Sequence, residues 1–188
     1  MKKLVVKTIA FSLGILLVGA CLFYLIVATC VPSSLSDFYY RTGNEKLTLK
    51  YSEKAYGKSD DIEDLATLVE RSIVFDEHAL VKAYGFKFLN HSGFSDYISG
   101  KNDGYKYYIV GSLVDSLYEL SETQTAVDVA FNNTNAYTKV NPIRVLISKS
   151  LQKEDKLTLS YAYEKLVARE NKNQLVINDI SLIRDYLN

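Results

Sequence analysis

The sequence predicts an all-α protein, an N-terminal transmembrane helix followed by a helical-repeat, solenoid-like domain of antiparallel helix hairpins. Three observations lead there. Residues 8–31 form a run of 24 positions without a single charge. Beyond that run, apolar residues recur three and four apart, the spacing of helices with one buried face. The second members of successive helix pairs begin near residues 44, 76, 122 and 155, at intervals of 32, 46 and 33, and spacing near 34 residues is that of helix-hairpin arrays.

The apolar run contains Ile9, Phe11, Leu13, Ile15, Leu16, Leu17, Val18, Leu22, Phe23, Leu25, Ile26 and Val27, and Pro32-Ser33-Ser34 ends it. As a helix it measures about 36 Å, somewhat more than a hydrocarbon core of about 30 Å. It is too long for the apolar core of a secretory signal alone, about 7–15 residues. Lys2, Lys3 and Lys7 precede it, and Arg41 is the first basic residue after it. The positive-inside rule then makes 1–7 a cytoplasmic N-terminus, 8–31 a signal-anchor helix and 33–188 an extracytoplasmic domain of the cell membrane. Val18-Gly19-Ala20-Cys21 also resembles a bacterial lipobox, which makes Cys21 the candidate site for lipidation after cleavage. Against that use, Leu22-Phe23-Tyr24-Leu25-Ile26-Val27 continues the apolar run instead of opening a polar tether. Ala10 and Gly14 form one small-xxx-small pair, a minimal surface for packing on another helix.

Composition removes several function classes. Net charge is zero, but past residue 31 there are 19 basic against 22 acidic side chains and no basic stripe long enough for nucleic acid. The two cysteines, Cys21 and Cys30, both lie in the apolar run, nine residues and so about 13 Å apart along a helix, too far to pair. The domain therefore has neither disulfides nor thiolate ligands for zinc.

Punctuation divides the domain into short helices. Ser34-Leu35-Ser36-Asp37 reads as a helix start and Gly43-Asn44 as a stop and restart. The next helix runs from Asn44 to Tyr56, with Leu47, Tyr51 and Ala55 on one face and Gly57 closing it. Asp60, Asp61, Glu63 and Asp64 load the first turn of a helix whose buried stripe is Ile62, Leu65, Leu68 and Val69. A helix from about Asp76 to Asn90 follows, then a loop over His91-Ser92-Gly93 and residues 99–104. Tyr105, Ile109, Leu113, Leu117 and Leu120 form the strongest helical pattern. Ser121 and Gln124 suggest a capping box, residues 132–139 a polar linker, and Asn141-Pro142 a helix start with proline at its first position. Asp155 starts the helix of Leu157, Tyr161, Leu166 and Val167, and Ile180, Ile183 and Leu187 mark the last one. Val176-Ile177 alone resembles a strand fragment, without a partner strand.

The stretch Asp37-Phe38-Tyr39-Tyr40-Arg41-Thr42-Gly43-Asn44, followed by Lys50-Tyr51-Ser52-Glu53-Lys54-Ala55-Tyr56, resembles the middle of a tetratricopeptide repeat. There a tyrosine pair precedes a glycine turn, and a tyrosine and an alanine lock the second helix. The resemblance covers about 20 residues, lacks a closing proline and is one residue short between Gly43 and Tyr51. It implies stacked hairpins and a protein-binding surface, with an irregular helical bundle as the alternative fold.

No catalytic, cofactor-binding or metal-ligating residue is assigned. His78 and His91 stand thirteen apart, without the four-residue spacing of a helical metal pair. The acidic group at 60–64 lacks the alternation, glycine and closing glutamate of a calcium loop and reads as a charged helix start. No Gly-x-Ser-x-Gly or phosphate-binding glycine loop occurs. Asn90-His91-Ser92 and Asn132-Asn133-Thr134 match the glycosylation sequon, a match common by chance. Tyrosines at 39–40, 105–108 and 161–163 suit helix–helix filling, or anchors on a concave surface. The favoured function is a membrane-anchored interaction module, held in the lipid bilayer through residues 8–31 and binding another envelope protein or peptide. An envelope enzyme or ligand-binding protein and an accessory subunit of a membrane complex are the alternatives.

Overall fold

The computed structural model describes residues 2–188, without Met1 and without the side chains of residues 2–10 and Asp103. Side-chain expectations for Lys2, Lys3, Lys7 and Ala10 lie outside the described residues. Among the described residues there is no strand, and the chain forms α1 (Lys2–Cys30), α2 (Pro32–Arg41), α3 (Glu45–Ser59), α4 (Ile62–Val74), α5 (His78–Leu89), α6 (Phe94–Ser99), α7 (Asp103–Glu119), α8 (Thr123–Asn132), α9 (Pro142–Gln152), α10 (Lys156–Val167) and α11 (Gln174–Leu187). The all-α expectation holds. Over Phe11–Cys30, α1 is long and apolar enough to cross a membrane. The chain divides into two compact units, residues 1–68 and 69–188.

In the first unit, proline sets the geometry. Having no N–H, Pro32 cannot donate to the carbonyl of Ala28, which it would otherwise satisfy in a continuing helix. Lys54 Nζ donates to that oxygen instead, at 2.6 Å, and Lys58 Nζ donates to the carbonyls of Cys30 at 2.8 Å and Thr29 at 3.4 Å. Two ammonium groups thus sit where the negative end of the helix dipole favours cations. One and a half turns earlier, the hydroxyls of Tyr24 and Tyr51 meet at 2.6 Å, and the Tyr39 ring stacks on Tyr51 at 5.6 Å and 13°. Contacts 24 to 51, 28 to 54 and 30 to 58 advance together, so α3 runs in the same sense as α1. Between them α2 runs back, its Ser36 hydroxyl donating to the Thr48 carbonyl at 2.8 Å and lying 2.6 Å from Ser52 Oγ.

Two sequence expectations change here. The helix after α1 starts at Pro32, its first-turn proline, instead of at Ser34. Gly57 does not close α3, which continues to Ser59 and ends at Asp60 in left-handed conformation (φ 50°). The extra turn is what carries Lys58 to the end of α1.

Four helix pairs are joined by the same tight reversal. Gly43, Asp76, Ser121 and Glu154 each adopt positive φ (71°, 57°, 62° and 54°). The amide of the following residue donates five positions back: Asn44 to Tyr39 at 2.9 Å, Glu77 to Ser72 at 2.9 Å, Glu122 to Leu117 at 2.8 Å, Asp155 to Ser150 at 2.8 Å. This is the Schellman closure, which satisfies carbonyls that a helix end leaves open. The residue that donates also opens the next helix, so α3, α5, α8 and α10 begin within two residues of the positions read from sequence. Burial repeats with the turns. Eleven and seven residues before each left-handed position lie Pro32 and Ser36, Leu65 and Val69, Val110 and Val114, Ile143 and Ile147; five after it lie Thr48, Val81, Ala126 and Leu159; all are buried.

Ser121 is therefore not the capping-box residue that its spacing to Gln124 suggested. It closes α7, and Glu122 is the N-cap of α8, without a side-chain cap bond. Asn44, Asn141 and Asp155 do cap, accepting the amides of Leu47, Arg144 and Thr158. Val176-Ile177 lies in the first turn of α11, capped by Asn173.

In the second unit α7 packs against α5, α6, α8 and α9, and α10 against α8, α9 and α11. Leu113, Leu117, Ile143, Leu146, Leu159, Leu166 and Ile183 are fully buried in its core, each such side chain contributing roughly 1.5–3 kcal/mol by leaving water. Gly85 allows α5 close to α7, since a Cβ there would stand 3.3 Å from Leu113 Cδ1. The polar linker after α8 is more than a connector. Its Tyr137 is buried and donates to Asp179 Oδ2 on α11 at 2.7 Å, and Arg144 Nε of α9 reaches the same oxygen at 3.0 Å. Burial, then the bond to Asp179, raises the Tyr137 phenol above its ordinary pKa, so it stays a donor at all physiological pH.

Two outcomes are expected. Ser121→Gly relieves a left-handed position and should raise unfolding stability by about 0.5–1 kcal/mol, while Ser121→Ala should lower it; chemical denaturation decides, and a Ser121→Gly chain less stable than the parent would instead mark Ser121 as a helix N-cap. Lys54→Met keeps the stem but leaves the Ala28 carbonyl without its donor, costing about 1–3 kcal/mol. Faster amide exchange in α3 of the full chain in micelles, with α10 unchanged, is the readout.

Candidate binding groove

One face of α7 carries Tyr108, Ser112, Asp115 and Ser116 at helical spacing, beside Gly111. The end of α4 and start of α5 add Ile73, Asp76, His78 and Val81, and Val140 and Val145 close the other side. Together they enclose about 270 Å³. Gly111 makes room for α9, because a Cβ there would lie 3.4 Å from Val145 Cγ2. Tyr107 props the wall from behind, its hydroxyl donating to the Ala136 carbonyl at 3.1 Å and accepting from the Ala136 amide at 3.2 Å. Two apolar groups stand open at the mouth: Val140 is 70% exposed and Tyr108 44%.

The groove's polar groups are tied to one another. His78 Nδ1 and Ser116 Oγ are 3.2 Å apart, and His78 Nε2 lies 3.6 Å from Asp76 Oδ1. Serine, histidine and aspartate in a row invite comparison with a hydrolytic triad, but the surroundings do not complete one. Ser116 is only 3% exposed and sits inside α7, where backbone amides are spent on helix bonds and none converges on a developing oxyanion. The pair instead fastens the first turn of α5 to α7. His91 lies elsewhere, Nδ1 accepting the Gly93 amide at 3.0 Å in the turn before α6.

Along the same side of α7, Lys149 of α9 pairs with Asp115 at 2.6 Å and Glu119 at 3.0 Å, and Lys153 reaches Glu119 at 2.8 Å. The hydrogen bonds from Lys153 and Lys149 hold the Glu119 carboxyl down at about 2. This four-charge cluster ties α7 to α9 beside the groove.

The other residues singled out by sequence fall into structural places. Asp61 Oδ1 accepts the Glu63 amide at 2.8 Å and Asp64 accepts from the Ser59 hydroxyl at 2.6 Å, as a charged helix start requires. Among the described residues, no three His, Cys, Asp or Glu side chains gather as a metal site. Cys21, the candidate for lipid attachment, is exposed on α1, as is Cys30. Of the tyrosine run in α7, Tyr105 turns inward, donating to Glu70 Oε1 at 2.7 Å, and Tyr108 alone faces the mouth of the groove. A wider recess of about 820 Å³ borders Tyr137, Arg169, Lys172 and Asn173; Arg169 stacks over Tyr137, and Asn173 donates to the Tyr137 carbonyl.

Sequence reading missed Val140 and Val145 as groove residues. Val140 was legible only as an isolated apolar residue at the end of a polar linker. Comparison of the chain with protein-family models, with curated proteins and with solved structures finds no match.

Glu119 gives the cluster a pH signature. Its folded pKa, about 2, lies below its ordinary value of 4.5, so its contribution is complete above pH 4.5 and is lost as pH falls toward 2. Unfolding measured across that window should show a slope that Glu119→Gln flattens; an unchanged slope removes the cluster from the account of acid stability.

Proposed function

We propose that the chain is a membrane-anchored interaction module: α1 crosses the cell membrane with its N-terminus cytoplasmic, and the helical domain outside takes up a peptide segment of another envelope protein. The hairpins form a divergent tetratricopeptide-like, solenoid-like array. One observation carries this reading. Four helix pairs share the left-handed reversal, the closing hydrogen bond and the buried positions on either side of it, at intervals of 33, 45 and 33 residues. The long interval contains the additional helix α6. In the second unit the helices from α7 to α11 each pack on the next in order, and α5, α7 and α8 also on the next but one. That pattern supports stacking, which leaves one face of alternate helices uncovered.

The groove suits a peptide better than a small metabolite. Its mouth is open and apolar, with a tyrosine at the rim, and its Asp76, His78, Asp115 and Ser116 side chains are already paired, so binding draws on side-chain burial and shape. The exposed apolar length of α1 supports tethering, since it has no protein covering over most of its course.

A photo-crosslinking side chain at Tyr108, in the full chain within its native membrane, should capture one defined protein. Val140→Asp should reduce that capture at least tenfold, and the same probe at exposed Leu182 on α11 should give none of it. Equal capture from both positions, or from the Val140→Asp chain, sinks the groove as the binding surface.

A further inference from the structure

We infer that the tip of the α2–α3 hairpin is a second membrane-binding surface, which grips the phosphate headgroups of the leaflet bordering the far end of α1. The inference rests on α1 lying in a bilayer. The helices α1, α2 and α3 run forward, back and forward, so the turn at residues 42–44 points back along α1 toward the bilayer. Register places it. The hydroxyls of Tyr39, on α2, and Tyr24, on α1, stand 3.4 Å apart, at similar distances from the Val31-Pro32 bend. The tip lies about one further turn, roughly 5 Å, closer to the membrane.

A polar turn cannot sit in hydrocarbon, where its backbone groups would lack partners. The hydrocarbon boundary therefore falls about one turn before Tyr24, near Cys21, not at Val31. Tyr24, Tyr39 and Tyr51 then cluster at the interface, where tyrosine is favoured.

The tip has the chemistry of its neighbour. Phe38 is 57% exposed and Tyr40 42%, on a hairpin that has ample core elsewhere. Arg41, Lys46 and Lys50 flank them, all exposed. Over residues 38–50, around the turn, three basic side chains (Arg41, Lys46 and Lys50) stand against one acidic (Glu45). The tip thus carries a local cationic surplus on the segment that the fold turns toward lipid. Exposed aromatic residues and cations beside a bilayer bind at its interface, more strongly when the lipid is anionic.

The chain has no tryptophan, so single reporters are unambiguous. Phe11→Trp and Phe38→Trp, each in the full chain reconstituted into vesicles of brominated phosphatidylcholine, test the two layers separately. Both should be quenched, Phe11→Trp by deep bromines and Phe38→Trp by bromines near the headgroup. Replacing half the lipid with phosphatidylglycerol should increase quenching of Phe38→Trp, and adding Arg41→Gln, Lys46→Gln and Lys50→Gln should abolish that increase. Quenching of Phe11→Trp alone, with Phe38→Trp emitting as a water-exposed indole, overturns the tip and leaves the anchor standing. Absence of quenching at both positions overturns the anchor and the inference with it. An increase that survives the triple substitution removes the basic side chains from the binding.

Discussion

Everything after the first helix depends on a single backbone event, the reversal of a helix within three residues. A helix ends with carbonyls facing nothing, and a chain turning back on itself must satisfy them before the next helix starts. Here one residue enters left-handed space and the next amide bonds five positions back. That bond fixes where the following helix begins and which of its faces meets the first. With the turn set, burial follows from spacing alone: the positions eleven and seven before it, and five after, point into the pair.

The same dependence explains why the repeat is hard to see as letters. Only the first turn uses glycine; the others place Asp76, Ser121 and Glu154 in a conformation that costs a side-chain-bearing residue about 1–2 kcal/mol. The equivalent buried positions hold proline, leucine, valine and isoleucine on one side and threonine, valine, alanine and leucine on the other. Shape recurs while identity drifts. The spacing of helix starts was readable, because caps such as Asn44 and Asp155 leave local marks. The reversal at Ser121 was misread, because serine suits both a helix N-cap and a polar turn, and its backbone angle is not in the sequence.

Long-range pairings were illegible for a different reason. Tyr137 looked like linker, since nothing local indicates that Asp179, forty-two residues on, will accept its proton-bearing oxygen or that Arg144 will share the same carboxylate. The groove was hidden similarly: Tyr108 and Val140 meet only through packing of α7 on α9, and the small residue that permits it, Gly111, resembles any glycine in a helix. Gly57 failed in the opposite direction. It carried a local stop signal, and distant carbonyls reached by Lys58 outweighed it.

The junction at Pro32 has one more consequence. Lys54 and Lys58 hold α1 by backbone oxygens, which every amino acid supplies. Beyond Tyr24, α1 needs no particular side chain to be held by these two lysines; it needs only to be helical and to end before a proline. The instructions for joining the first helix to the rest of its unit are therefore written in α3. A first helix of quite different sequence would offer the same two ammonium groups the same oxygens.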